Sequence, residues 1–300
     1  MSDCSAELAQ KSLKDFASVI ENKMLSLLPV SEGREENVIE AMRYALLAGG
    51  KRLRPFLVVQ SAALFSIDNE SALRVAAAIE CVHTYSLIHD DLPAMDDDNM
   101  RRGLPTTHKK YDDATAILAG DALLTLAFEI LSDEKTHSDA EIRCDLILAL
   151  SRAIGAKGMV GGQMIDLKAE NQSLQQDEII RMQHMKTGEL IIFSCEVGAI
   201  LAKVSDDRRM ALKKYAENIG LAFQIVDDLL DIEGNSEDIG KTAGKDIEAG
   251  KATLVSFKGV EEARALADEL INNAVSHMDV FDEKSEVLKS LAKFVINRAH

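Results

Sequence analysis

The chain has 300 residues, of which 47% are hydrophobic and 4% aromatic, and its formal net charge is −16 at pH 7. The apolar content supports a sizeable buried core, whereas the acidic balance argues against a nucleic-acid partner, because nucleic-acid binders usually present a basic face. Cys4, Cys81, Cys144 and Cys195 show no CxxC spacing, so we expect small buried thiols rather than metal ligands.

The N-terminal segment is polar and lacks a basic region followed by an apolar run, so no signal peptide is predicted. No stretch is predicted to be long and apolar enough to span a bilayer. We therefore expect a cytoplasmic protein without a transmembrane segment.

Apolar residues recur at helical spacing along almost the whole sequence, and the low aromatic content disfavours strands. The last of the four prolines is Pro105, which suits long uninterrupted helices after it. We predict an all-α protein with one domain over residues 1–300. The predicted helices cover roughly residues 6–27, 35–48, 55–65, 71–91, 114–131, 140–158, 177–204, 206–231, 253–278 and 284–298.

A basic motif, GGKRLRP, occupies residues 49–55, where the third predicted helix begins. Pro55 is favoured in the first helical turn, so Arg54 lies near a helix N-terminus, where free N–H groups attract anions. Arg54 offers bidentate contacts to a phosphate, and Lys51 offers a point charge. An isolated basic pair is usually a solvated surface feature, and only its place beside acidic clusters favours phosphate binding.

The helix predicted over 71–91 is apolar nearly all round, yet it ends in Asp90 and Asp91. Pro93 should end the helix and bring Asp96 back toward Asp90. Carboxylates at this density repel one another, and a hard divalent cation removes that cost. A solvated acidic loop is the alternative for one such cluster.

The helix predicted over 206–231 has the same character, because it too is apolar and ends in clustered carboxylates. Gln224, Asp227 and Asp231 follow i, i+3, i+7 spacing and therefore share one face. Two buried helices that both end in carboxylates favour a divalent metal site over two solvated loops.

Further basic motifs lie next to these clusters: Arg101 and Arg102 after the first, Lys186 in a KTG sequence, and a Gly-rich loop over 240–251 after the second. Their placement predicts anion binding. The stretch 234–242 is not a P-loop, since five residues instead of four separate its glycines and no strand precedes it.

A metal phosphohydrolase of the His-Asp doublet kind is a rival interpretation, suggested by His89 and Asp90. Such a site would need further His ligands on neighbouring helices, and no matching pattern is present. It would also leave the second acidic cluster without a role.

Together these motifs resemble the trans-isoprenyl diphosphate synthase family, and within it the bacterial farnesyl diphosphate synthases. The likeness runs from GGKRLRP through HDDLPAMDDDNMRRG and VDDLLDIEG to GKTAGKDIEAGKATLV, in a specific order and spacing. The two Asp-rich motifs of the family, DDxxxxD and DDxxD, are both intact.

The resemblance implies the isoprenoid synthase fold, a helical bundle around a central cavity, and a homodimer. It implies Mg²⁺ as cofactor, with Mn²⁺ as a substitute. The implied reaction condenses isopentenyl diphosphate head to tail with dimethylallyl and geranyl diphosphate to give farnesyl diphosphate.

The resemblance also implies roles for individual residues. Metal would be held by Asp90, Asp91, Asp96, Asp227 and Asp231. Isopentenyl diphosphate would be bound by Gly50, Lys51, Arg54, His83 and Arg102. The allylic diphosphate would be bound by Arg101, Lys186, Lys241 and Lys251, with Thr187 and Gln224 facing the developing allylic cation.

Product length is expected to depend on Tyr85, five residues before Asp90, with the small Ser86 beside it. Helix geometry alone leaves the choice between these two open, because Tyr85 lies on the flank of the Asp90 face. The resemblance selects Tyr85, and the alternative is that its ring simply packs in the core.

Three other functions stay open. A geranylgeranyl diphosphate synthase would have a deeper pocket. A terpene cyclase does not bind isopentenyl diphosphate, so GGKRLRP would be unexplained. A non-catalytic partner subunit would be expected to lose its Asp-rich motifs.

Overall fold

The computed structural model describes residues 3–30, 33–169, 174–204, 207–233 and 253–296. The side chains of residues 3–7, Asp231 and Glu233 are outside that description. Within these ranges the chain is helical apart from its connecting loops and one two-stranded hairpin, which confirms the all-α prediction.

The helices of the first half of the chain precede and follow the first acidic cluster in the sequence. They are α1 Asp3–Leu27, α2 Glu36–Leu46, α3 Leu53–Leu64, α4 Asn69–Asp90, α5 Thr107–Lys110, α6 Asp113–Ser132 and α7 Ala140–Ile154. Strands β1 Met100–Arg101 and β2 Leu104–Pro105 pair antiparallel between α4 and α5.

The second half carries the second acidic cluster. Its helices are α8 Met159–Ala169, α9 Gln176–Gln183, α10 Glu189–Leu201, α11 Asp207–Glu233, α12 Leu254–Lys258, α13 Val260–His277 and α14 Glu286–Ile296. A π-helical turn, His184–Gly188, joins α9 to α10, and a 3₁₀ segment, Met278–Ser285, joins α13 to α14.

Helix α4 lies at the centre of the core, where it packs against α1, α2, α3, α6 and α10. Every residue from 71 to 82 is buried, which confirms the prediction of a helix apolar nearly all round. The two charged residues in this stretch are both paired: Arg74 donates to Asp133 at 2.7 Å, and Glu80 accepts from Arg52 at 2.6 Å. Burial of α4 therefore depends on satisfying each charge that it carries.

Helix α3, which carries Arg54, packs closely on α10, which follows Lys186 in the chain. Gly198 of α10 lies against the backbone of Ser61, and its N–H donates to the Ser61 hydroxyl at 3.2 Å. A Cβ at Gly198 would fall closer than 3.0 Å to the Ser61 carbonyl oxygen. The absence of a side chain at this position sets the distance between the two helices.

Several details differ from the sequence prediction, and among them the helix predicted over 253–278 is divided at Gly259 into α12 and α13. Residues 100–105 form a hairpin, α7 ends at Ile154, and Cys144 is exposed while Cys81 and Cys195 are buried. Helix α8 was not predicted, because Gly161 and Gly162 carry a low helix propensity. Its packing on the π turn overrides that local preference.

Helix α6 is long and apolar enough, by length and composition, to cross a membrane, contrary to the expectation that no stretch would be. The core helix of a globular protein meets the same criteria, and α6 packs along α4. The helix therefore fits the core of the bundle rather than a transmembrane segment.

We expect Gly198→Ala to destabilise the protein by about 1–3 kcal/mol, because the clash with Ser61 outweighs the better helix propensity of alanine. Gly220→Ala is the matched control, since the nearest atoms to a Cβ there lie at 3.7 Å. That variant should be neutral or more stable by up to about 1 kcal/mol. Denaturant unfolding of both would measure this, and equal effects would contradict the packing argument.

Candidate active site

The first acidic cluster lies where α4 ends. After Asp90 the chain folds back at Pro93, and the N–H of Asp96 donates to the carbonyl oxygen of Asp90 at 2.9 Å. The return of Asp96 toward Asp90 is therefore confirmed. Asp97 takes a left-handed backbone conformation (φ 48°), which completes the turn.

Two of the predicted site residues, Asp91 and Arg101, bind each other. The carboxylate of Asp91, only 3% exposed, accepts hydrogen bonds from Arg101 Nε at 2.8 Å and Nη2 at 2.5 Å. Burial opposes the charge of Arg101, but the hydrogen bond and charge of Asp91 outweigh it and raise the pKa of Arg101. The hairpin that places Arg101 was not predicted, although the RRG sequence that forms it was singled out.

Within the GGKRLRP motif, Arg52 has a structural role that the sequence did not predict. Its backbone is left-handed (φ 48°), and its side chain points into the protein. Arg52 Nη1 donates to Glu80 at 2.6 Å, and Nη2 donates to the Leu46 carbonyl oxygen at 2.7 Å. This buried pair ties the loop before α3 to the centre of α4.

Gly50 allows the predicted residue Arg102 to approach the same loop. Arg102 donates to the carbonyl oxygen of Gly49, and a Cβ on Gly50 would collide with its guanidinium group. Gly50 also has φ +126°, which side-chain-bearing residues rarely adopt. The two glycines thus bring Arg102 beside the basic motif.

Arg54 and His83 meet between α3 and α4, with Arg54 Nη1 3.5 Å from His83 Nε2. Burial lowers the pKa of Arg54, while Glu80 and Asp227 partly offset this effect. Burial and the positive charge of Arg54 lower the pKa of His83 well below its ordinary range, so this imidazole is neutral at pH 7. The pair forms an electropositive site that an anion would stabilise.

One donor of this site lacks an acceptor within the described part of the chain, as does Arg52 Nε in the same motif. Arg54 Nε is buried and has no hydrogen-bond partner among the residues that the structure describes. Buried donors are nearly always satisfied in proteins, by protein groups, water or a ligand. A diphosphate oxygen would provide the acceptor that this donor needs.

Helix α8 contributes two polar side chains that sequence reasoning missed. Gln163 Nε2 donates to Asp90 Oδ1, and Lys186 Nζ donates to Asp166 Oδ2 at 2.5 Å. Gly162 lies directly on the backbone of Lys186, since a Cβ there would fall closer than 3.0 Å to it. The i, i+3 spacing of Gln163 and Asp166 would have revealed a polar face if the helix had been predicted.

The second acidic cluster lies on α11, which carries Gln224 and Asp227, while Thr187 lies in the π turn. Gln183 Nε2 donates to the neighbouring Asp228 at 3.4 Å. Lys51 Nζ lies 5.8 Å from the ring centre of Phe223, which brings the basic loop to α11. The predicted residues Lys241 and Lys251 and the side chain of Asp231 are outside the described part of the chain.

Within the described ranges, no group of three or more His, Cys, Asp or Glu side chains is close enough to hold a metal ion by itself. The carboxylates at the ends of α4 and α11 are nevertheless hard oxygen donors of the kind that Mg²⁺ prefers. Mg²⁺ usually takes only one or two carboxylates and completes its shell with water and substrate phosphates. The donor set therefore fits Mg²⁺ bound together with a diphosphate.

Tyr85 is buried, and its ring meets the ring of His89 edge to face at 5.8 Å. Burial also raises the pKa of the Tyr85 hydroxyl. His89 Nε2 lies 3.1 Å from the Ile117 carbonyl oxygen of α6, so this side of α4 faces α6. Ser86 instead donates to the His83 carbonyl oxygen at 2.8 Å. Tyr85 therefore lies on the flank of the Asp90 face, as helix geometry predicts.

A cleft of about 540 Å³ lies between α1, α2 and the outer face of α6. Its lining is mainly apolar and includes Met42, Leu118 and Ala122. None of the predicted site residues lines it.

Comparisons with known proteins show the family to which the chain belongs. Residues 35–293 match the family model described as polyprenyl synthetase. Farnesyl diphosphate synthase of Escherichia coli is 47% identical over 267 residues, which cover 87% of this chain and 89% of that protein. Geranylgeranyl diphosphate synthase of Cyanophora paradoxa is 42% identical over 287 residues, covering 95% of each chain.

Solved structures of similar proteins have the same fold. A crystal structure described as an FPP/GFPP synthase from Zymomonas mobilis has a TM-score of 0.88 and 48% sequence identity, covering 97% of this chain and 99% of that one. Since the family model spans most of the chain and these relatives match along nearly their whole length, the chain belongs to the polyprenyl synthetase family.

Proposed function

We propose that this protein is a prenyltransferase that condenses isopentenyl diphosphate with dimethylallyl and then geranyl diphosphate to give farnesyl diphosphate. The observation that carries this proposal is the partly buried Arg54–His83 pair, with its unsatisfied donor, close enough to Asp227 of α11 for that carboxylate to act on Arg54. Relatives named farnesyl diphosphate synthase, at 47% and 45% identity, support the same product.

Two diphosphates would occupy separate positions. Arg54, Arg102 and neutral His83 suit the diphosphate of isopentenyl diphosphate, because they form one partly buried electropositive cluster. Arg101 and Lys186 suit the allylic diphosphate, because each is a cation held in place by a carboxylate and has further N–H donors to offer an anion.

Asp90, Asp96 and Asp227 would hold Mg²⁺, or Mn²⁺ in its place, with Asp91 and Asp231 assisting. The bound ion would neutralise charge on the allylic diphosphate and so make it a better leaving group.

The chain's own residues then account for the reaction. Arg101 and Lys186 stabilise the negative charge that grows on the leaving diphosphate as the C–O bond breaks. Arg54 and His83 hold isopentenyl diphosphate so that its double bond faces the allylic cation. Thr187 and Gln224 face that cation, and the adduct loses a proton to a base such as the released diphosphate, which leaves a product longer by five carbons. The buried helices exclude water, which would quench the cation.

We also propose that the protein is a cytoplasmic homodimer. The outer face of α6 supports the dimer, since Ile117 and Leu118 are 44% and 57% exposed next to the apolar cleft. An apolar face of this kind can pair with itself across a two-fold axis. Thiols that remain unpaired, such as Cys81 and Cys195, suit a reducing compartment.

Removal of divalent metal should abolish product formation, and added Mg²⁺ should restore it. Asp90→Ala and Asp227→Ala should each lower kcat by roughly a hundredfold to a thousandfold or more, because each removes charge stabilisation at the leaving group. Asp145→Ala, on the exposed face of α7, is the control and should leave kcat unchanged. Full activity in excess chelator would overturn the metal proposal.

The two-site assignment makes a second prediction. Arg54→Gln should weaken the binding of isopentenyl diphosphate by about tenfold or more. Lys186→Gln should mainly weaken the binding of the allylic substrate. Direct binding of each substrate by calorimetry would separate the effects better than steady-state constants. If both variants weakened both substrates equally, the assignment would be wrong.

Product length tests the role of Tyr85. Tyr85→Ala should shift the main product from fifteen to twenty carbons or longer, because it removes bulk beside α6 in the direction of chain growth. Tyr85→Phe keeps that bulk and should still give farnesyl diphosphate. Chromatography of the dephosphorylated products measures both. A folded, active Tyr85→Ala enzyme that stopped at fifteen carbons would assign the limit to another residue.

A further inference from the structure

We infer that Gln163 and Asp166 of α8 are positioning residues, which hold Asp90 and Lys186 at the separation that the allylic diphosphate requires. This inference rests on the proposed function, because it assumes that Asp90 and Lys186 act on the same diphosphate. Neither Gln163 nor Asp166 belongs to an Asp-rich or basic motif of the sequence.

Helix geometry brings the two contacts together. Residues 163 and 166 are three apart on α8 and therefore share one face. From that face Gln163 Nε2 donates to Asp90 Oδ1, and Asp166 Oδ2 accepts from Lys186 Nζ at 2.5 Å. One rigid helix thus contacts the end of α4 and the π turn at the same time.

Gly162 fixes how closely α8 approaches the π turn. A Cβ at this position would lie closer than 3.0 Å to the backbone nitrogen and Cα of Lys186. The two backbones are therefore in direct contact, one residue before Gln163. Because π turns are commonly found at functional sites and disturb the regular helix, an external support at this turn has a clear physical use.

The Asp166–Lys186 pair is partly withdrawn from water, with the side chains 12% and 29% exposed. Such a pair restricts the long Lys186 side chain, which otherwise carries large rotamer entropy. A lysine held in place before the anion arrives costs less to order when it binds.

Asp166→Asn changes diphosphate binding in opposite directions under the two possible roles of Asp166, positioning of Lys186 and mere neutralisation of its charge. Asp166 is itself negative, so it repels a bound diphosphate. If Asp166 only neutralised Lys186, Asp166→Asn would tighten diphosphate binding. If Asp166 orients Lys186, the same change weakens binding in spite of the more favourable charge.

The experiment uses calorimetry to measure the binding of inorganic diphosphate, in the presence of Mg²⁺, to the 300-residue chain. We expect Asp166→Asn to weaken binding by about tenfold to a hundredfold, the range found when groups that support a metal site are removed. Asp145→Asn removes the same charge from the exposed face of α7 and should change binding by less than about twofold.

A double-mutant cycle then tests whether Asp166 acts through Lys186. Once Lys186→Ala is present, Asp166→Asn should weaken binding no further. Additive losses, or tighter binding in Asp166→Asn alone, would overturn the positioning role. Should Asp166→Asn fail to fold, Gln163→Ala paired with Asp90→Asn provides the same cycle at the other contact, with the same two outcomes.

The proposed function can fail separately. A wild-type protein that makes no prenyl product from isopentenyl and dimethylallyl diphosphates would overturn the function. A wild-type protein that makes product, together with an additive cycle, would remove only the roles of Gln163 and Asp166.

Discussion

The complete burial of residues 71–82 of α4 is the constraint on which the rest of the structure depends. Residues 71–82 contact neighbouring helices on all sides, so each charge along α4 needs a partner inside the protein. Arg52 forms an ion pair with Glu80, and that pair holds the loop carrying the basic motif against α4. The carboxylates at the C-terminal end of α4 therefore emerge at one defined place, where Asp91 pairs with Arg101.

Electrostatic pairing also explains how the site stays stable without a substrate. Arg101 holds Asp91 and Lys186 holds Asp166, so two cations that would bind diphosphate already have counter-charges. The Arg54–His83 cluster differs, because Arg54 Nε is buried with no acceptor among the described residues and His83 is kept neutral. This contrast supports two separate anion positions, one lined by cations already paired with carboxylates and one lined by a donor that still lacks an acceptor in the described part of the chain.

The interhelical distances around the site are set largely by glycines. Gly198 allows α10 to contact α3, Gly162 allows α8 to contact the π turn, and Gly120 of α6 leaves room for His89 of α4. Each contact brings together elements that carry or flank a proposed site residue. A site that must hold two diphosphates and exclude water benefits from such short, rigid contacts.

Much of this protein could be predicted from the sequence by itself, because helical periodicity and motif chemistry are local properties. The helices, the buried character of α4, the return of Asp96 to Asp90 and the two acidic clusters follow from spacing, proline geometry and charge repulsion between neighbours. The grouping of basic motifs near those clusters also follows from order along the chain.

Only the tertiary structure decided which partner each charge takes. Arg52 and Arg54 are two residues apart, yet one is used in a buried ion pair and the other faces the proposed substrate site. Gln163 reaches Asp90 across 73 positions of sequence. Contacts of this kind depend on how helices pack rather than on local propensity, and for that reason no pattern in the sequence revealed α8 as a support of the site.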